Sequence, residues 1–265
     1  MLLVIDVGNT HTVVGIYDGD LLRCEWRIRT RRDMTGDEVY VALHQLFKTR
    51  DISESGLTAT IVSCVVPAMK RAVDDFCRKY LNHSALWVDN KTPMGMPILY
   101  RNPAEVGADR IVNAVAAYER YRCALIVIDF GTATTFDCIS EAGEYLGGAI
   151  SPGIGIASEA LFARAAKLPR VELFNVPETA IGRDTVSSMQ AGILFGYAGL
   201  VDGIVARIRK EMGETVRVIA TGGLATLMAN VSECIEAVEP NLTLEGLRLI
   251  HRRIAESGTA GKEAS

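Results

Sequence analysis

The sequence has no CxxC pair and no histidine close to two cysteines; its six cysteines, at 24, 64, 77, 123, 138 and 234, are widely spaced. A structural zinc site is therefore not visible. At this length a disulfide scaffold is not needed either, so the thiols read as free, in a reducing compartment. There is no basic excess, since 28 Lys and Arg stand against 32 Asp and Glu. A nucleic-acid binder held by phosphate contacts depends on such an excess, so that class is set aside. No apolar run reaches membrane length. The longest uncharged stretch, 185–201, has 17 residues and includes Ser187, Ser188, Gln190 and three glycines, short of the ~20 apolar residues a span requires. It reads as a buried helix, one that could also serve a subunit interface. Three nucleotide signatures are missing as well: the GxxxxGK[ST] P-loop, the GxGxxG fingerprint, and a kinase-type glycine loop with its paired lysine. The N-terminal MLLVIDVGNT has no basic region, and Asp6 interrupts its apolar run, so it reads as a strand and not as a secretion signal.

What is present is a chain of 265 residues, 49% hydrophobic and 23% charged. That is the composition of a soluble enzyme of one large or two ordinary domains. Its most informative feature is an internal repeat. The 15 residues from Leu2 align without a gap on those from Leu125, and 7 of the 15 are identical. Each copy reads as a buried strand, an Asp-x-Gly turn and a second strand.

Between the copies, Thr35-x-x-Glu38 forms a capping box for a helix over 35–50. A strand follows at 58–65, then a helix opened by Pro67 and running to Tyr80, then a short strand at 85–88. Asn102-Pro103 is expected to cap a helix over 102–122, with Ile111, Val115 and Tyr118 on one stripe. After the second copy come a glycine-rich segment at 147–153 and a helix reaching Lys167. A long helix covers 185–212, its Gly192, Gly196, Gly199 and Gly203 expected to allow close contact with a neighbouring element. A strand at 216–220 and a helix at 244–256 complete the pattern, with a small, polar tail expected to fray. Alternating strands and helices indicate α/β.

Three glycine-bearing turns end apolar strands: Asp6-Val7-Gly8-Asn9-Thr10, Asp129-Phe130-Gly131-Thr132 and Thr221-Gly222-Gly223. Backbone N–H groups in such turns, with Asn and Thr side chains, can surround phosphate oxygens. A carboxylate closing an apolar strand wants a cation as partner. One such turn is ordinary; three, two of them in repeated units, point to a phosphate ligand. Taken alone, Asp109-Arg110 would be a surface ion pair, Tyr100 a rim aromatic, and His11 a solvated turn residue. His44, His83 and His251 have no metal-like spacing. The run Arg27-x-Arg29-x-Arg31-Arg32 reads as a solvated strand edge before an anion site.

Together these motifs resemble the acetate kinase, sugar kinase, Hsp70 and actin superfamily, and more closely the type III pantothenate kinase family. The closer resemblance rests on Asp6-x-Gly8-Asn9-Thr10, on Tyr100 followed by Gly107-Ala108-Asp109-Arg110, and on Asp129-x-Gly131-Thr132-Ala133-Thr134-Thr135. It rests also on Gly147-Gly148-x-Ile150-x-Pro152-Gly153 and Thr221-Gly222-Gly223. It implies two duplicated actin-like (ribonuclease H-like) domains, 1–118 and 119–256, each a mixed sheet flanked by helices, with a nucleotide cleft between them and a frayed tail at 257–265.

The activity implied is transfer of the γ-phosphate of ATP to the primary hydroxyl of pantothenate. Asp6, Val7, Gly8, Asn9, Thr10, His11, Thr12 and Val13 would hold the phosphates, with Thr132 also touching them and Gly222 and Gly223 close to the adenosine. Asp6 would anchor Mg²⁺ through water, and Asp129 a monovalent cation, K⁺ or NH₄⁺. Asp109 would be the general base, and Tyr100, Gly107, Ala108, Asp109 and Arg110 would line the pantothenate site, Arg110 facing its carboxylate. Thr185, with Asp184 beside it, matches a position that reaches substrate from a neighbouring subunit, so a cytoplasmic homodimer is implied. The family's usual residue before that threonine is Asn, and here it is Asp184. No nucleic acid or membrane partner is implied. A sugar or other small-alcohol kinase would share the phosphate turns without the GADR segment after Tyr100. A non-enzymatic nucleotide switch on this fold would be expected to lose Asp109 or Asp129, and both are present.

Overall fold

The computed structural model describes residues 1–263 except 90, 174 and 214, with 258–263 described in backbone only. In chain order the strands are β1 (Leu2–Val7), β2 (His11–Asp18), β3 (Leu21–Arg29), β4 (Ala59–Cys64), β5 (Leu86–Trp87), β6 (Leu125–Phe130), β7 (Ala133–Ile139), β8 (Tyr145–Pro152), β9 (Arg217–Gly222) and β10 (Ala237–Val238). The helices are α1 (Gly36–Lys48), α2 (Pro67–Tyr80), α3 (Ala108–Tyr121), α4 (Ile154–Arg164), α5 (Thr185–Met212), α6 (Ala225–Ala229) and α7 (Leu242–Glu263).

The chain divides into two compact units. Unit 1 holds Met1–Met96, Tyr100–Ala116 and the chain from Leu242 onward; unit 2 holds Pro97–Leu99 and Ala117–Asn241. The last helix therefore belongs with the first half of the chain, not with the second as the linear order of motifs suggested. It also continues to Glu263, past the point at which composition predicted fraying; the last two residues of the tail lie outside the described residues.

Both sheets have five strands and one topology. In unit 1 the order is β3-β2-β1-β4-β5, in unit 2 it is β8-β7-β6-β9-β10. Each is an antiparallel three-strand meander joined to two parallel strands. The repeat is thus a repeat of fold, with one local difference. The first hairpin closes on the pair Val7 and Thr12, the second on Phe130 and Thr134. A gapless alignment would match Thr12 with Thr135, so the second turn is one residue shorter than the sequence repeat implied.

In unit 1, alternate residues of each strand face opposite sides. Leu3, Ile5, Val7, Val14 and Ile16 pack with Val39, Leu43 and Phe47 of α1 and Val73 and Phe76 of α2. Val4, Asp6 and Gly15 lie on the other face. There a Cβ at Gly15 would sit 2.9 Å from Leu244 Cδ1, so α7 covers that side. The helix is tied down by Thr243 Oγ1 donating to Asn113 Oδ1 (2.7 Å) and Arg253 Nη1 donating to the Met94 carbonyl (2.6 Å).

In unit 2, Ile126, Ile128, Phe130, Val218 and Ala220 pack with Leu194, Ala198, Val201 and Val205 of α5. By length and composition alone α5 could cross a membrane, but this face belongs to the core of unit 2. Its glycines do not serve the close contact predicted for them within the chain. Among the described residues nothing lies within 4 Å of a Cβ placed on Gly192, Gly196 or Gly199, and only the tip of Arg207 lies near one on Gly203.

Candidate active site

Unit 1 carries the first phosphate turn and the Asp109 segment. The turn starts where β1 ends. Asp6 is half-buried there, and its cross-strand neighbours on the same face are Val13 and Ser63. Ser63 Oγ is buried and makes no hydrogen bond, an oxygen that a hydrated cation beside Asp6 could satisfy. Val7 is fully buried, so anything it offers a ligand comes from its backbone. The turn closes by Gly8 N–H donating to the His11 carbonyl (3.0 Å), and a Cβ at Gly8 would lie 2.9 Å from that same oxygen. Asn9, Thr10 and His11 are exposed at the tip. Partial loss of hydration, with the Arg27 and Arg29 charges behind it, lowers the pKa of the His11 imidazole.

Thr12 turns inward and its hydroxyl meets that of Thr30 at 2.9 Å. Thr30 was not anticipated. Nothing in its local sequence marks it, because its partners lie 18 to 22 residues away. Arg27 and Arg29 project from β3, alternating with the half-buried Trp26 and Ile28, as an edge strand requires. Arg32 goes further, donating from Nη2 to Asn9 Oδ1 at 3.2 Å.

The helix predicted from Asn102 is interrupted. Asn102 caps only a 3-10 turn, Pro103–Glu105, and α3 begins at Ala108 after Gly107. This break places Asp109 in the first turn of α3. Asp109 Oδ1 accepts from the Arg110 N–H (2.9 Å), and a Cβ on Gly107 would sit 2.5 Å from that oxygen. Any side chain at 107 would therefore evict the carboxylate. The helix N-terminus and the Arg110 charge both favour the anion, yet loss of hydration outweighs them and raises the Asp109 carboxyl above the usual carboxylate range. Arg110 is 8% exposed, and Tyr100 is half-buried.

Unit 2 carries the second turn. Asp129 is half-buried, and its same-face neighbours are Thr135 on β7 and Thr221 on β9. Gly222 has φ +93°, and a Cβ there would fall 2.4 Å from Asp129 Oδ1; only glycine fits beside this carboxylate. A Cβ at Gly223 would meet nothing within 4 Å. Below Asp129 lies a pair that was also missed: Asp137 is wholly buried and accepts from the Tyr145 hydroxyl (2.7 Å) and the Thr135 hydroxyl (3.1 Å). An aspartate in the middle of a buried strand was its signal. Thr132 is exposed on the turn, and its carbonyl accepts from Gly153 N–H at 3.2 Å.

Asp184 and Thr185 are exposed at the start of α5. The Asp184 carboxylate accepts from Ser187 N–H at 2.9 Å as the N-cap, and this bond holds its pKa below the ordinary value. Asn and Asp are near-equal caps, so Asp184, where the resemblance implies Asn, keeps the N-cap geometry. Among the described residues no three His, Cys, Asp or Glu side chains converge as a metal cage. A divalent ion here would rest on one carboxylate, water and nucleotide phosphates, the usual Mg²⁺ arrangement.

A sequence model of type III pantothenate kinase matches residues 2–207. The type III pantothenate kinase of Desulfatibacillum aliphaticivorans is 69% identical over 257 residues, covering 97% of this chain and 100% of that one. That of Desulforapulum autotrophicum is 57% identical over 251 residues, covering 94% and 96%. Among solved structures, a Baf family protein of Campylobacter jejuni described as a transcriptional activator aligns with TM-score 0.59 at 17% identity, over 96% of this chain and 99% of that one. The activator of 2-hydroxyisocaproyl-CoA dehydratase from Clostridium difficile, solved with ADPNP, aligns with TM-score 0.55 at 10% identity, over 100% and 97%. The two structural likenesses speak to the fold.

Proposed function

The chain belongs to the type III pantothenate kinase family, and from that premise we propose how its residues carry the reaction. The enzyme transfers the γ-phosphate of ATP to the primary hydroxyl of pantothenate, giving 4′-phosphopantothenate, the first step of coenzyme A biosynthesis. ATP and a divalent metal are its co-substrate and cofactor.

Phosphoryl transfer asks the protein for positioning and charge stabilisation, with little covalent chemistry. Asp109 is the general base. The observation that carries this role is its half-buried carboxylate, fixed by the Arg110 N–H, given room by Gly107 and raised in pKa by loss of hydration; a base whose pKa approaches the working pH accepts a proton more effectively. Buried Arg110 faces the pantothenate carboxylate, which guanidinium geometry suits. Tyr100 and residues 107–110 line the rest of that substrate. The turn from Asp6 to Val13 and Thr132 hold the phosphates, and Gly222 and Gly223 lie by the adenosine. Asp6 would hold Mg²⁺ through water, and the ion would supply neutralisation of phosphate charge. Asp129, flanked by the hydroxyl-bearing Thr135 and Thr221, would hold K⁺ or NH₄⁺ with oxygen donors.

Phosphate transfer from ATP to pantothenate tests the base. Asp109→Asn should lose about 10²–10⁴-fold in turnover and remain folded. Because the wild-type carboxyl is raised, activity should climb as pH rises through that raised pKa. The linkage sign is the reverse for stability: between the unfolded and the higher folded pKa the native state holds the extra proton, so stability falls as pH rises. D109N removes this loss and should melt higher than wild type at neutral pH. A variant with near-normal rates would remove the assignment.

The protein works in the cytoplasm as a homodimer in which Thr185 reaches the neighbour's substrate. Support comes from unit 2, where Ile150, Ile156, Phe162, Ile181 and Val186 are exposed and, among the described residues, Gly192, Gly196 and Gly199 of α5 meet no other element. Sedimentation at micromolar concentration should give a dimer, and a lone monomer would end this part of the reading.

A further inference from the structure

We propose that Thr30 is a positioning residue that aims the backbone N–H groups of the first turn at the triphosphate. This rests on the reading that residues 6–13 hold phosphate. Thr30 makes three bonds to the turn. Its hydroxyl donates to the Gly8 carbonyl at 2.7 Å, and its N–H donates to the Thr10 carbonyl at 3.0 Å. A hydroxyl has one proton, already given to Gly8, so Thr12 must be the donor in the 2.9 Å contact between the two threonine hydroxyls.

These bonds fix the direction of two peptide planes. In a planar trans peptide the C=O and the N–H point opposite ways. The Gly8 carbonyl belongs to the peptide whose N–H is that of Asn9, and the Thr10 carbonyl to the peptide whose N–H is that of His11. With both carbonyls drawn to Thr30, both N–H groups point to the other side of the turn. Two N–H groups of one turn, those of Asn9 and His11, aimed to one side offer a seat for an anion. Arg32 extends the device to a side chain: by donating to Asn9 Oδ1 it leaves the Asn9 amide NH₂ turned outward as a donor. Thr12, which the motif assigns to the phosphates, keeps its hydroxyl for Thr30.

The test compares equilibrium binding of Mg²⁺-ATP and of adenosine, with the thermal unfolding midpoint measured alongside. Thr30→Val keeps the shape and the N–H bond but removes the hydroxyl. It should weaken ATP binding about tenfold, the size of one net hydrogen bond to a charged-ligand seat, and leave adenosine binding unchanged. Thr30→Ser restores the hydroxyl and should restore ATP affinity. Equal loss of ATP and adenosine, failure of T30S to rescue, or unchanged ATP binding in T30V would each overturn the proposal. Asn9→Ala separates the two levels. If N9A selectively weakens ATP and T30V does not, the role of Thr30 alone fails. If neither does, the phosphate reading of the turn fails with it.

Discussion

The two hairpins share a frame and differ in what braces their tips. In each, the residue just after or at the end of the third strand donates its N–H to a turn carbonyl: Thr30 to Thr10 at 3.0 Å, Gly153 to Thr132 at 3.2 Å. The first hairpin then adds a hydroxyl at that position, while the second has no space for any side chain, since a Cβ on Gly153 would lie 2.3 Å from the Thr132 carbonyl oxygen. The repeated aspartates differ too. Asp6 has one hydroxyl-bearing neighbour in its cross-strand row, Ser63, and one apolar neighbour, Val13; Asp129 has Thr135 and Thr221. Duplication kept the strand register around both carboxylates and left the turns and flanking rows to diverge. An aspartate among hydroxyls can contribute to a shell of oxygen ligands around a large monovalent ion. One with a single hydroxyl neighbour is better suited to act through water on a hydrated divalent ion.

The largest expected effects come from neutralising these two aspartates one at a time. Asp129→Asn should abolish the difference in rate with and without K⁺, while Asp6→Asn should keep that response. D6N should instead raise the Mg²⁺ concentration for half-maximal rate about 10–100-fold, as expected when an outer-shell partner is lost. Titrations of both ions in both variants decide the matter. If D6N and D129N shift the same ion, the distinction between the two rows is not the physical cause.

Much of this was legible in the sequence, where the signal was local. The capping box at Thr35 and Glu38 is formed, with Glu38 N–H donating to Thr35 Oγ1 and Glu38 Oε2 accepting from Thr35 N–H. Pro67 opens α2, and α5 runs from Thr185 to Met212 as its apolar pattern required. Except for Asp137, whose partners Thr135 and Tyr145 are close in sequence, the misses depend on partners far along the chain or on the competition between turns. Asn102 was a sound cap signal, but Gly107 and the 3-10 turn move the helix start to Ala108, which is what places Asp109 in the first turn. Thr30 is one threonine among many until β3 returns beside β2. The return of α7 to unit 1 depends on Leu244 meeting Gly15, which linear order cannot reveal. A gapless repeat also hides a one-residue difference between turns, because the identical positions before the turn dominate the match.

Three glycines offer the smaller but sharper test, because the same substitution meets three different surroundings. At Gly153 a Cβ would lie 2.3 Å from Thr132 O and 2.7 Å from Gly131 O. Both are backbone atoms of the turn itself, so no side chain can swing aside, and Gly153→Ala should cost about 1–3 kcal/mol as an overpacking strain. At Gly131 the nearest atoms would be 3.5 and 3.6 Å away, ordinary contact, and Gly131→Ala should be neutral or gain about 0.4–1 kcal/mol by restricting the unfolded chain. Gly8 lies between, with one backbone oxygen at 2.9 Å. Denaturant midpoints should therefore rank G131A above G8A and G8A above G153A. If G131A were the most damaging, the second turn would owe its glycine to something other than its own packing, with a ligand lying against the backbone as the physical candidate. The comparison then turns on adenosine and ATP binding by G131A. A loss for ATP alone would place phosphate against the second turn, while equal losses would mean that the substitution has changed the turn itself.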